Sequence, residues 1–128
     1  MFEVLAVTER WVLIDKHPDV SFHREDADIG LLDALRAATG LPALYPVHRL
    51  DAITSGLLLF ARDPATAAAL GRAWQAGEVG KLYLAIAPGK PSKKQGWVKG
   101  DMEKSRRGGW KLLHSRVNPA VTWFDSVS

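Results

Sequence analysis

His48-Arg49-Leu50-Asp51-Ala52-Ile53-Thr54-Ser55-Gly56-Leu57-Leu58-Leu59-Phe60-Ala61 sets a charged cluster and a Thr-Ser-Gly turn directly before an unbroken apolar run. The run from Gly56 to Ala61 reads as a strand buried on both faces, since no polar residue interrupts it to mark a face turned to water. The turn therefore delivers Asp51 to the mouth of a strand. On the residues alone, an Asp ahead of Thr-Ser-Gly equally serves as a turn former, through a hydrogen bond from its side chain to the backbone. His48 and Asp51 also form a His-x-x-Asp pair, but two ligands with no third nearby make a poor metal site, so neither metal nor cofactor is expected.

Outward from that stretch, Ala43 to His48 approaches the turn as an extended segment. Phe2 to Ala6 and Trp11 to Asp15 cluster β-branched and aromatic residues on either side of the polar break Thr8-Glu9-Arg10, which predicts a hairpin. Residues 28–40 carry apolar side chains at helical spacing, with Asp28 placed as N-cap and Gly40 as the C-terminal stop. A second helix opens with Asp63 as N-cap and Pro64 at the first helical position, and runs to about Gln75 before Gly77 and Gly80. Lys81 to Ala87 alternates, with Leu82, Leu84 and Ile86 assigned to a core face and Lys81, Tyr83 and Ala85 to the other, which predicts a further strand. Pro88 to Gln95 reads as a surface loop, and Gly96 to Val121 as a twisted hairpin interrupted at Gly108-Gly109. The fold class expected from this order is α+β, a mixed, mainly antiparallel sheet with flanking helices.

The length of 128 residues suits one domain, and 47% hydrophobic residues suffice for a core. The absence of cysteine excludes disulfides and thiolate metal sites. No apolar stretch approaches the roughly 20 residues of a membrane span, and the opening Met1-Phe2-Glu3 lacks a signal-peptide pattern, so a cytoplasmic protein without membrane contact is expected. The net charge of +3 is unevenly placed. Lys90, Lys93, Lys94, Lys99, Lys104, Arg106, Arg107, Lys111 and Arg116 all fall in the last third, interleaved with Trp97, Trp110 and Trp123. That pattern suits a polyanion whose bases can stack, and it suits a solvated hairpin supported by aromatic packing as well.

The run from His48 to Phe60 resembles the signature of the RluA family of pseudouridine synthases, in which histidine, arginine, leucine and aspartate precede a Thr-Ser-Gly turn. Lys16-His17-Pro18-Asp19-Val20-Ser21-Phe22-His23 is similar to that family's first motif, a lysine-proline turn leading to a histidine. Asp19 stands where glycine is usual, and Asp accepts left-handed backbone better than most residues. Gly80-Lys81-Leu82-Tyr83-Leu84-Ala85 resembles the family's lysine-x-tyrosine-x-alanine strand, and Gly96 to Phe124 its lysine-rich hairpin and following strand. The resemblance covers nearly the whole chain.

It implies a pseudouridine-synthase-like catalytic core that isomerises uridine to pseudouridine in ribosomal or transfer RNA, with Asp51 as the catalytic residue. The reaction breaks the C1′–N1 bond and rebuilds the link through C5, and a carboxylate can assist by adding covalently to the sugar C1′ or to the base C6. By the same resemblance Tyr83 stacks on the target base and shuttles a proton. On pattern alone, Tyr83 is an aromatic on the wetter face of a strand. The resemblance places Arg49 in the RNA stack, where a planar guanidinium can fill the space of a flipped uridine. Taken by itself, Arg49 reads as a local ion-pair partner of Asp51. His48, Thr54 and Lys81 complete the candidate substrate-binding set, with Lys81 facing phosphate or capping a strand edge and Thr54 fixing the turn together with Ser55.

RNA is the expected partner, with no DNA, and the intact protein is expected to be a monomer. The family's later Arg-x-His-Gln-hydrophobic-Arg motif and an S4-like module are absent from the sequence. Residues 1–128 are therefore expected to form a single, incomplete catalytic domain, truncated at the C-terminus. The alternative is an inactive fragment acting at most as a basic RNA-binding module.

Overall fold

A computed structural model describes residues 1–21 and 30–127. They divide into two compact units, Met1–Leu82 and Tyr83–Ser128. In the first, β1 (Phe2–Val7), β2 (Trp11–Lys16), β3 (Tyr45–Pro46) and β4 (Gly56–Ala61) form a sheet of order β1-β2-β4-β3, every pair antiparallel. The β1–β2 hairpin forms where the polar break predicts it. Thr8 closes its turn, with the Thr8 hydroxyl oxygen accepting from the Arg10 and Trp11 amides at 3.2 and 3.0 Å.

Side-chain alternation decides which face of this sheet is dry. Val12, Ile14 and Lys16 of β2 are buried, and their ladder partners on β4 are Phe60, Leu58 and Gly56. Helix α1 (Leu31–Thr39) contributes Leu31 and Leu35 to the same core, and Leu44 and Leu50 complete it. The expected Asp28 cap lies outside the described residues, and the helix starts after Gly30 with no side-chain cap. Gly40 ends it as expected, left-handed at φ 68°, with its amide donating to the Arg36 carbonyl at 2.9 Å. Helix α2 (Pro64–Gln75) has the predicted bounds, and the Asp63 carboxylate accepts from the Thr66 amide and hydroxyl, both at 2.7 Å. Those two hydrogen bonds hold the Asp63 carboxyl below the usual carboxylate range.

Two expectations are corrected. β4 is not buried on both faces: Leu58 and Phe60 are, but Leu57 is exposed and Leu59 only half-buried. The second face is covered only toward Ala61, the end from which the chain turns into α2. Residues 81–87 form no strand, and Leu82, Leu84 and Ile86 are at least 93% exposed. Alternation shows that a segment can serve as a strand, but the strand itself exists only once a neighbour supplies the ladder. Among the described residues none pairs with this segment.

The second unit is built from nested hairpins. β5 (Gln95–Gly100) pairs with β8 (Ala120–Asp125), and β6 (Met102–Lys104) pairs with β7 (Trp110–Leu112) around the left-handed Gly108. Asp101 ties the connection between β7 and β8 back to β5. Its carboxylate accepts from the Val117 and Asn118 amides at 2.9 and 2.7 Å, and its amide donates to the Ser115 carbonyl at 2.9 Å. The Val117 amide, the Ser115 side chain and the Asn118 amide, all bonded to the carboxylate, lower the Asp101 pKa.

Gly100 allows this closeness, since a Cβ there would stand 2.5 Å from the Leu113 carbonyl oxygen. Backbone cannot swing aside as a side-chain tip can. Gly100→Ala is therefore expected to destabilise the unit by about 1–3 kcal/mol. An unfolding midpoint in urea equal to that of wild type would contradict this account.

Candidate active site

The loop of residues 47–55, between β3 and β4, alternates between residues that hold it and residues it displays. Leu50 is buried in the core, whereas Arg49 and Asp51 on either side of it are exposed. The Thr54 amide donates to the Asp51 carbonyl at 3.0 Å and closes a tight turn through Ala52 and Ile53. Gly56 follows with φ 133°, a conformation that L side chains rarely adopt. The Thr-Ser-Gly turn thus depends on its glycine.

His48 fastens the incoming side of the loop. The Val47 amide makes the last ladder contact, to the Leu59 carbonyl at 3.4 Å, and there the chain peels away from β4. The Leu59 amide would then lack its partner, and the His48 Nε2 accepts from it at 3.1 Å. The ring also stacks on Trp74 of α2, centroids 4.5 Å apart and 18° from parallel. An accepting Nε2 fixes the neutral tautomer with its proton on Nδ1. Burial lowers the His48 pKa from the ordinary imidazole value, and the Lys81 ammonium lowers it further.

The unfolded chain therefore takes up a proton at a pH where folded His48 does not. Stability rises with pH across the window from the folded value to about 6.5, and falls as the solution is acidified through it. His48→Gln, with an amide oxygen that needs no deprotonation to accept, is expected to lose less stability than wild type between about pH 7.5 and 5. Parallel acid destabilisation of the two proteins would overturn the assignment.

Lys16 fastens the outgoing side. It ends the buried row Val12, Ile14, Lys16 and is 1% exposed. Its ammonium donates to the carbonyls of His17, Val20 and Ala52 at 3.0, 3.2 and 2.9 Å, which uses all three of its protons. Two short segments, the turn after β2 and the turn after Asp51, are thereby joined, and the Val20 amide adds a bond to the Ala52 carbonyl at 3.2 Å. Burial lowers the Lys16 pKa, opposed by the carboxylates of Asp19 and Asp51. Asp19 is left-handed at φ 60°, as its place in the lysine-proline turn predicts.

The structure thus brings His48, Arg49, Asp51 and Thr54 together on one loop, with Lys81 close enough to bear on His48. No ion pair joins Arg49 to Asp51 among the described residues. Arg49 is exposed, and among the described residues it has no ion-pair partner. Tyr83 belongs to the second unit and is exposed in the segment 81–87, which has no ladder partner among the described residues, so the predicted strand that would carry it is not formed. Sequence reasoning named Lys16 only as part of a motif and left His48 without a structural task. The signal for Lys16 was present, because alternation from Val12 and Ile14 points position 16 inward. Among the described residues no cluster of three His, Asp or Glu could hold a metal, and no helix is long and apolar enough to cross a membrane.

Residues 10–128 match the family model described as RNA pseudouridylate synthase. A protein of Haemophilus influenzae named as an uncharacterized RNA pseudouridine synthase is 40% identical over 126 residues, covering 98% of this chain and 56% of that protein. The ribosomal large subunit pseudouridine synthase C of Rickettsia bellii is 50% identical over 60 residues, 47% of this chain and 20% of that protein. Among solved structures, human RNA pseudouridylate synthase domain containing 1 superposes with a TM-score of 0.72 at 22% identity, over 96% of this chain and 50% of its own. The chain spans about half the length of these full-length matches.

Proposed function

Because the chain belongs to the RNA pseudouridylate synthase family and is of the RluA type, we propose that it carries the catalytic aspartate of an enzyme converting uridine to pseudouridine in RNA. The observation that carries the proposal is the exposure of Asp51 on a loop whose flanks are fixed by His48, Leu50 and Lys16. A group that must meet the same atom in every turnover benefits from such anchoring, which removes loop entropy before the substrate arrives.

In the proposed reaction the Asp51 carboxylate adds to C1′ or to C6 of the flipped uridine, and the C1′–N1 bond breaks. The uracil rotates, the C1′–C5 bond forms, the carboxylate leaves, and the C5 proton is lost while N1 gains one. Arg49 fills the space vacated by the base, Tyr83 stacks on the uracil and moves the proton, and Lys81 and Thr54 complete the substrate contacts. His48 acts from within, by holding the loop. Both units belong to one catalytic domain in this reading. The likeness to a ribosomal large subunit synthase favours ribosomal over transfer RNA as substrate. Cytoplasmic action is part of the same proposal.

RNA carrying tritium at C5 of uridine tests the reaction directly, because substitution at C5 releases the label. The expected result is release from large-subunit ribosomal RNA isolated from cells that lack the gene, and little from RNA of cells that have it. RNA bound without any release would favour the inactive RNA-binding module instead.

A further inference from the structure

The charge of the chain is divided between its two units. Residues 83–128 carry nine Lys and Arg against only Asp101, Glu103 and Asp125, whereas residues 1–82 carry eight basic against eleven acidic residues. Two of the three acids in the second unit are engaged, Asp101 with backbone amides and Glu103 with Lys111 at 3.1 Å. All nine basic side chains are exposed.

On this positive unit the β5–β8 ladder separates two faces. One carries Gly96, Val98 and Gly100 opposite Phe124, Thr122 and Ala120, with the half-buried Phe124 ring lying where a Cβ on Gly96 would be 3.5 Å away. The other presents Trp97 directly opposite Trp123, with the Lys99 ammonium 5.1 Å from the centre of the Trp97 ring. The two indoles meet edge to face, centroids 5.1 Å apart, yet stay 60% and 48% exposed. A paired indole needs no such exposure to stabilise a hairpin, and two large aromatic surfaces left in water beside a cation are costly unless something covers them.

We propose that the Trp97–Trp123 face of β5–β8 is a stacking platform for unpaired bases of the RNA substrate, with Lys99 placed for the adjoining phosphate. The proposal rests on the RNA-directed reading above and adds a contact that the isomerisation itself does not require. Indole faces accept any base, a duplex keeps its bases stacked on each other, and the surplus of positive charge selects a polyanion over an apolar protein surface. The platform therefore favours single strands.

Fluorescence anisotropy of the intact chain with a fluorescein-labelled 12-nucleotide single-stranded RNA, and with the same sequence as a blunt duplex, tests this. Trp97→Leu with Trp123→Leu keeps apolar side chains but removes both rings, and is expected to weaken single-strand binding about tenfold or more. Duplex binding should change less than about twofold, and the corresponding Phe pair should recover most of the loss. Lys99→Gln should reduce the slope of log affinity against log salt by about 0.7. Near-ultraviolet circular dichroism of the Phe and Leu pairs verifies the hairpin, and the Lys99→Gln slope gives a readout that leaves both rings in place. Equal binding by wild type and the Leu pair, equal losses on single strand and duplex, or no binding of RNA at all would overturn the platform. Tritium release separates this from the catalytic reading: release with unchanged binding by the Leu pair sinks the platform alone. Ring-dependent binding without release on any RNA leaves the platform standing and sinks the assigned chemistry.

Discussion

In the proposed synthase, Asp51→Asn is expected to abolish pseudouridine formation while leaving fold and RNA affinity nearly unchanged. The asymmetry follows from where the residue sits. Its side chain is exposed, and the contact that Asp51 makes to the turn runs through its carbonyl, which accepts from the Thr54 amide and is the same in Asn. Leu50, His48 and Lys16 hold the loop by groups that the substitution does not touch. What disappears is a charge and a nucleophile. An amide oxygen does not form the ester-like adduct that splits the isomerisation into two easier steps, so the loss falls on the chemical step. A fall of at least about a thousandfold in kcat, roughly 4 kcal/mol of barrier, is expected in single-turnover tritium release with RNA binding measured in parallel. Turnover within about tenfold of wild type would end the nucleophile assignment, since about 1.4 kcal/mol is too little for removal of a covalent step. Weakened binding with unchanged chemistry would assign Asp51 to substrate contact.

The parts of this molecule legible in the sequence are those whose cause is local. Asp63 and Pro64 determine where α2 begins because a capping carboxylate and a fixed φ act within one turn, and α2 starts there. Gly40 and Gly108 end a helix and turn a hairpin for the same kind of reason, since a left-handed backbone is cheap for glycine. Asp19 belongs with them.

The failures are equally specific. Residues 81–87 have the alternation of a strand and no neighbour among the described residues, and the continuous run of β4 concealed an exposed Leu57. In both cases the missing information is what packs against the segment, which one stretch of sequence does not contain. The candidate site shows the same division. Asp51, Arg49 and Thr54 could be named from one motif because they share a loop. The partners that fix the loop, the Leu59 amide, Trp74 and the Lys16 ammonium, come from β4, α2 and β2. They become visible only when those elements are brought together.

Lys16 is where that assembly has its largest expected consequence for stability. Lys16→Met keeps most of the volume and the apolar stem, but removes the donor from three carbonyls that converge on one point. Charged hydrogen bonds contribute about 1.5–3 kcal/mol each, while relief from burying an ammonium returns part of that sum. The carbonyls cannot all turn to water, because the Val20 amide and the β2 ladder hold the same segments in place. A net destabilisation of about 2–4 kcal/mol is expected, a large share of the 5–15 kcal/mol that keeps a typical domain folded. Arg at this position should not rescue it, since a planar guanidinium does not direct three protons to three convergent oxygens as an ammonium does. Urea unfolding provides the measurement, and a midpoint for Lys16→Met equal to that of wild type would show the three bonds to be worth no more than the burial they require. If the loss of stability is accompanied by slower chemistry in the fraction that remains folded, the Ala52 bond is also what aims Asp51. If turnover per folded molecule is unchanged, His48 and Leu50 hold the loop without it.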